Sequence, residues 1–219
     1  MASPNVPAFS FATSLLDWED KYGESDFQDR FPPDFIRAES LGTQVGAAAV
    51  VLDGIFRQTT DTKPWDSGKF EFLNRTQMAM MLPHGISTWQ RAMPPNQGFH
   101  PPTLYRVFST ISNFETWADD CEFVPYYEDD KAVTGAPKGV LLSSYRRGGK
   151  TLIVLGNLGD EAKMTLSLDR AKLKLPPDAK IYNAETRQEL VGGTLTLPRR
   201  DFAMLLVGAP NVLTLAPGQ

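Results

Sequence analysis

Four residues of this sequence have side chains and positions suited to contacts with a ligand: His84, Asp53, Trp89 and Trp65. His84 follows the apolar segment MAMMLP (78–83), and Asp53 follows the apolar segment that begins at residue 45, so both stand where a strand is expected to end. An imidazole can donate a hydrogen bond to a hydroxyl or act as an acid or base. A carboxylate can accept hydrogen bonds from two neighbouring hydroxyls. These two positions are therefore candidate ligand contacts.

Trp89 and Trp65 are the candidate aromatic contacts. An indole beside a cleft can form an apolar platform for one face of a ring-shaped ligand. Trp89 comes shortly after His84, and Trp65 stands in the polar segment DTKPWDSG. Structural alternatives remain open: His84 can satisfy a buried carbonyl in a Pro-His-Gly turn, Asp53 can form an Asp-Gly turn, and Trp89 can pack against the following helix.

The elements that must position these residues differ between the two halves of the chain. In the first half, the apolar segments 45–55 and 78–83 lack alternation, which predicts strands buried on both faces, as in a parallel sheet. Within 31–44 a helical stretch is predicted after the Pro-Pro start, ending near Gly42, and 66–77 is predicted to be a loop that leads into a helical or irregular stretch. Two strands cannot close a parallel barrel, which takes about eight. Residues 1–121 are therefore predicted to be the last part of a larger α/β unit.

The clearest predicted helix covers 101–120. Two prolines suit its first turn. Its apolar residues recur at i, i+3, i+4 and i+7, which predicts one buried face: Leu104, Val107, Phe108, Ile111 and Phe114.

From residue 122 onwards, short alternating segments separated by Gly, Asp and Pro predict an antiparallel β-sandwich. Met164, Leu166 and Leu168 alternate with polar residues, which indicates one buried and one exposed face. The segment 129–139 is predicted to be a mobile loop. The strands are predicted over 122–128, 139–147, 151–159, 163–169, 180–186, 193–198 and 201–208. The predicted fold class is α/β followed by all-β.

Composition excludes several classes of function. The 219 residues carry a net charge of −4 without a basic stripe, so nucleic-acid binding is not expected. The single cysteine, Cys121, permits no internal disulfide and no cysteine-built metal site, and the two histidines lack metal-ligand spacing. No metal or cofactor is therefore predicted. The first twenty residues do not resemble a secretory signal, and no apolar segment is long enough to span a membrane. These patterns leave the cellular location undetermined.

Four stretches carry a resemblance to a known family: LPHG, ISNFETWADDCEFVPYYED, TLIVLGNLGDEAKMTLSLD and LTLPRRDFAMLLVG. In this order, over roughly residues 30–208, they resemble the C-terminal region of glycoside hydrolase family 123-like proteins. The resemblance implies a partial (β/α)8 barrel over 1–121, comprising its last strands and helices. A β-sandwich domain over 122–219 would follow it.

The same resemblance implies a carbohydrate substrate and a glycosidase acting on O-glycosyl bonds. In such barrels the acid and base lie on middle strands, upstream of residue 1, so no catalytic residue is assigned here. The chain is therefore expected to be a C-terminal fragment that is inactive alone, with His84, Asp53, Trp89 and Trp65 as substrate contacts. The alternatives are a non-catalytic glycan-binding protein, or a structural β-sandwich protein whose cut barrel would favour self-association.

Overall fold

The computed structural model describes residues 14–19, 26–39, 48–52, 67–89 and 100–216. Its helices begin at residues that favour helix initiation. Asp26 caps the first of them by accepting the Gln28 N–H at 3.0 Å, and prolines occupy the first turns of two others. The helices are α1 Phe27–Arg30, α2 Pro33–Glu39, α3 Ser67–Met81 and α4 Pro101–Phe114, and a 3-10 turn, Leu82–His84, follows α3.

Three parallel strands form one sheet in the first half of the chain. They are β1 Ser14–Glu19, β2 Ala48–Leu52 and β3 Ile86–Trp89, with β2 in the centre. The predicted parallel strand within 45–55 is therefore confirmed as β2. The pairing of β1 with β2 shifts register between Leu16 and Trp18, and both pairings continue to the last residue of each strand.

The strand predicted over 78–83 is wrong. These residues form the end of α3 and the 3-10 turn, and the strand begins only at Ile86. The apolar run lacks alternation because this part of α3 is buried on opposite sides. Met78 and Ala79 join one core cluster, whereas Met80 and Met81 join another. A short apolar run does not by itself distinguish a buried helix from a buried strand.

The helix predicted over 101–120 is confirmed over Pro101–Phe114. Leu104, Val107 and Phe114 are buried, and the remaining apolar residues of the same face pack partly against the same core. The helix ends because Glu115 adopts a left-handed conformation, with φ 59°, and its N–H returns to the carbonyls of Ile111 and Ser112.

The second half of the chain is built from antiparallel strands, as predicted. The strands are β4 Glu122–Val124, β5 Val133–Thr134, β6 Val140–Arg147, β7 Lys150–Asn157, β8 Ala162–Thr165, β9 Ser167–Leu168, β10 Lys180–Asn183, β11 Thr194–Leu197 and β12 Phe202–Gly208. Five of them form a sheet with the order β10-β12-β7-β6-β4, and the pairs β11-β8 and β5-β9 form two small ladders.

Both faces of the five-stranded sheet are covered. Leu152 and Met204 lie in a core cluster with residues of α3 and α4, whereas Ile153 and Leu205 lie in a second cluster with residues of the small ladders. This explains why β7 and β12 are continuous apolar runs. In β8, which packs against the five-stranded sheet with one of its faces only, buried and exposed residues alternate. The segment 129–139, predicted to be a mobile loop, contains β5, and Ala132 and Val133 are buried.

An ion-pair network fixes α3 to the antiparallel sheet. The Arg75 guanidinium donates to both carboxylate oxygens of Glu185, at 2.9 and 3.0 Å, and to Asp201 at 2.7 Å. Burial alone would lower the pKa of Arg75, but the hydrogen bonds and charges of Glu185 and Asp201 outweigh it and raise that pKa. The side chains are only 17%, 9% and 15% exposed, respectively, so each charge depends on its partners.

A second group of ion pairs in the same region fixes α1. Arg200, which precedes Asp201, donates to Asp26 and to Asp29, both at 2.6 Å. Asp26 also accepts the Thr76 hydroxyl at 2.8 Å, so one carboxylate joins α1, α3 and the β11–β12 turn. The helices of the first half and the sheet of the second half therefore share polar contacts as well as a hydrophobic core.

Candidate functional site

The carboxyl ends of the three parallel strands form one edge of their sheet. In the register, Glu19 pairs with Leu52, and Leu52 pairs with Trp89, so the final residues of β1, β2 and β3 form one row. In open α/β sheets, ligands bind outside the carboxyl ends of the strands. We call the row of Glu19, Leu52 and Trp89 the carboxyl-edge row, and it is the candidate functional site.

Two of the four residues predicted to contact the ligand lie in this row or directly after it in the sequence. Trp89 is its last member, and Asp53 follows Leu52 directly in the sequence. Asp53 and Trp65 themselves lie outside the described residues. Substrate binding by Asp53, Trp65 and Trp89 therefore stays a prediction.

Glu19 is a candidate that sequence reasoning missed. The segment SLLDWE forms β1 and ends in a carboxylate, just as an acidic residue follows β2. The available signal was this repeated order of an apolar segment followed by an acid. It was obscured because Asp17 interrupts the apolar residues, at the position where the β1–β2 register shifts.

The strand-end position predicted for His84 is wrong. His84 closes the 3-10 turn before β3, so it lies at the amino end of that strand, opposite to the carboxyl-edge row. Gly85 follows in a left-handed conformation, with φ 72°, and sends its N–H back to the Leu82 carbonyl at 3.0 Å. A contact of His84 with substrate is an untested prediction, and the observed geometry supports the alternative of a capped turn.

Both ring nitrogens of His84 have protein partners. Nδ1 lies 2.6 Å from the Met80 carbonyl oxygen and Nε2 lies 3.0 Å from the Tyr126 hydroxyl. Since a carbonyl only accepts, Nδ1 carries the proton and Nε2 accepts from the tyrosine. His84 is 2% exposed, and Tyr126 in turn contacts the ring of Tyr127 edge-on. The imidazole thus joins the end of α3 to the segment after β4.

Burial lowers the pKa of His84 below its ordinary value of 6.5, outweighing the backbone hydrogen bonds to Met80 and Pro33, so the neutral ring is favoured at pH 7 in the folded protein. His84 binds a proton more tightly in the unfolded chain than in the folded protein. The contribution of this pKa shift to the free energy of unfolding is therefore full above pH 6.5 and decreases as the pH falls towards the folded-state pKa.

We expect urea midpoints measured between pH 7 and pH 5 to show this decrease. It should disappear in His84→Gln and persist in His100→Gln, the only other histidine variant that the sequence allows. An unchanged pH profile in His84→Gln would contradict the assignment.

The described residues contain neither a group of metal ligands nor a membrane-spanning helix. Within them, no group of three or more His, Cys, Asp or Glu side chains could hold a metal ion. In the same part of the chain, no helix is both long and apolar enough to cross a membrane. Cys121 is half-buried, and burial raises the pKa of its thiol, which disfavours the nucleophilic thiolate.

Comparison with known proteins gives distant structural neighbours only. No family model and no curated protein matches the sequence. A GH27 β-L-arabinopyranosidase from Geobacillus stearothermophilus has a TM-score of 0.49 and 10% identity over 95% of this chain and 48% of that chain. A family 30 subfamily 8 xylanase from Clostridium acetobutylicum has a TM-score of 0.40 and 13% identity over 77% of this chain and 44% of that one.

A maltogenic α-amylase from Thermotoga neapolitana has a TM-score of 0.41 and 9% identity, covering 81% of this chain and 46% of that chain. The distant structural neighbours are thus glycoside hydrolases of several families, and this chain spans about half the length of each. At these TM-scores the likeness is too weak to carry an argument about activity, and it does not single out family 123.

Proposed function

We propose that this chain is part of a carbohydrate-active glycoside hydrolase and that the carboxyl-edge row contributes to its substrate cleft. The observation that supports the proposal is the register that aligns Glu19, Leu52 and Trp89 at one edge of a parallel sheet. Carboxylates bind sugar hydroxyls and an indole binds the apolar face of a pyranose. An edge with both residue types suits a carbohydrate.

In this proposal, residues 1–121 are the C-terminal portion of a (β/α)-barrel catalytic domain and residues 122–219 are a β-sandwich domain that covers it. The core shared by α3, α4, β7 and β12 supports such a covering role. The acid and base belong to strands that precede residue 1, so this chain alone does not hydrolyse glycosides. Asp53, Trp89 and Trp65 contact the substrate, and His84 holds the turn before β3.

Tryptophan fluorescence tests the binding part of the proposal. We expect maltotriose or xylotriose to change the emission of the 219-residue chain, because an indole that stacks on a pyranose loses contact with water. Trp89→Ala should weaken this binding by about tenfold, in line with the loss of one stacking contact worth about 1.5 kcal/mol.

Trp117→Ala is the matched control. Trp117 lies between α4 and β4, is 65% exposed, and is not part of the parallel sheet. This variant should bind as the wild type does. Equal losses of affinity in the two variants, or no fluorescence response to either sugar, would contradict the proposed cleft. Hydrolysis of 4-nitrophenyl glycosides by this chain would contradict the proposal that the catalytic acid and base lie outside it.

A further inference from the structure

A cavity of about 300 Å³ lies on the antiparallel half of the chain, separate from the carboxyl-edge row. Its floor is the face of the five-stranded sheet that turns towards the small ladders. Val124 on β4 contributes to this floor beside its register partner on β6. Alternate residues of β6 share that face because side chains alternate along a strand: Val140, Leu142, Ser144 and Arg146. The opposite wall is the segment 128–136, which contains β5.

One end of the cavity is charged and firmly held. Arg146 and Asp130 have side chains that are 12% and 18% exposed, and Nη1 of the guanidinium lies 2.8 Å from Oδ2 of the carboxylate. Oδ1 of Asp130 accepts the Ala132 N–H at 2.7 Å and also lies 3.2 Å from the Lys172 ammonium. The Arg146 hydrogen bond holds the pKa of Asp130 well below its usual range, so the pair stays ionised.

This charged end retains unused hydrogen-bonding capacity. A guanidinium has five N–H donors. Arg146 uses one on Asp130 and one, at 3.2 Å, on the Ser144 hydroxyl oxygen, and within the described residues no further acceptor is assigned to it. Because Arg146 lines the cavity, its remaining donors are available to a ligand there. Oδ2 of Asp130 likewise accepts only one bond from the described residues.

The character of the cavity defines the ligand. Glu128 and Asp130 are balanced by Arg146 and the adjacent Lys172, so the cavity has no net charge that would favour a charged ligand. The floor offers the apolar side chains of β4 and β6. These features favour a neutral ligand with adjacent hydroxyls at one edge and an apolar face.

We propose that this cavity binds a single pyranose unit of a glycan, with vicinal hydroxyls between Arg146 and Asp130 and the C–H face on the floor. The volume is at the small end of ligand pockets, which suits one sugar ring. The site is non-catalytic and independent of the cleft proposed above. It would tether a glycan to the antiparallel half of the protein.

Isothermal titration calorimetry of the 219-residue chain tests the proposal with three probes: methyl α-D-glucopyranoside, methyl β-D-galactopyranoside and methyl β-D-xylopyranoside. We expect millimolar binding of at least one probe. Arg146→Met should weaken it by about tenfold or more, as expected for lost hydrogen bonds to a charged group. Arg147→Met is the control, because Arg147 pairs with Glu115 and Asp120 and does not line the cavity.

Ala136→Trp, which adds a large side chain to the cavity wall, should abolish binding and gives an independent test if Arg146→Met is poorly folded. The binding should persist in Trp89→Ala and should leave tryptophan emission unchanged, since no tryptophan is among the residues that line the cavity. Absence of binding by all three probes would overturn the proposal. Wild-type affinity in both Arg146→Met and Ala136→Trp would overturn it equally.

Discussion

Replacing Arg75 with methionine is expected to lower the free energy of unfolding by about 3–5 kcal/mol, the range for removing one partner of a buried ion pair. The loss is large because Glu185 and Asp201 would remain largely buried without a cation. Burial raises the pKa of Asp201 even in the presence of Arg75, whose charge lowers it. Urea unfolding at pH 7, followed by circular dichroism, measures the effect.

Two further variants make this prediction specific. Arg147→Met removes an arginine whose partners Glu115 and Asp120 are 53% and 64% exposed, so its effect should be small. Adding Glu185→Gln and Asp201→Asn to Arg75→Met should recover part of the lost stability, because the uncompensated charges are removed. If Arg75→Met unfolds at the wild-type midpoint, the network does not fix α3 to the sheet.

Gly156→Ala is expected to destabilise the fold by at least about 3 kcal/mol, the upper range for overpacking. A Cβ on Gly156 would lie 1.7 Å from the Ala79 carbonyl oxygen and 2.8 Å from its carbon, and backbone atoms of α3 cannot move aside as a flexible side chain can. The methyl group would force β7 and α3 apart, opening the core cluster they share.

The matched control for this substitution is Gly159→Ala. The nearest atom to its added Cβ would be Asn157 Oδ1 at 3.9 Å, which is an ordinary contact. Thermal unfolding of the two variants should differ strongly, with Gly159→Ala close to wild type. Similar melting temperatures would show that β7 and α3 do not pack as closely as described.

Much of the second half of the fold could be predicted from sequence because its signals are local. Apolar segments separated by turns with Gly or Asp match β6, β7 and β12 closely. The strand predicted over 163–169 is instead divided at Leu166 into β8 and β9, because the two parts pair with different strands. The helix at Pro101–Phe114 was equally predictable, since its prolines and apolar spacing both lie within one segment.

The first half was harder because its signals depend on tertiary contacts. Residues 78–83 are apolar in any case, and only the two cores on either side of α3 determine that they are helical. That error moved His84 to the wrong end of a strand. The row that joins Glu19 to Trp89 depends on register between strands far apart in sequence, which no local pattern contains. The Arg146 cavity, likewise, exists only once β6 faces the segment 128–136.

The most direct test of the proposed cleft uses the four tryptophan side chains as separate reporters. In ¹⁵N-labelled protein, each indole N–H gives its own signal, which single Trp→Phe variants can assign. The proposed function predicts that titration with xylotriose or maltotriose shifts the signals of Trp89 and Trp65 and leaves Trp117 unchanged. If the Trp89 signal stays in place while sugar binds elsewhere, or if none of the four signals moves, the carboxyl-edge row is not a carbohydrate site.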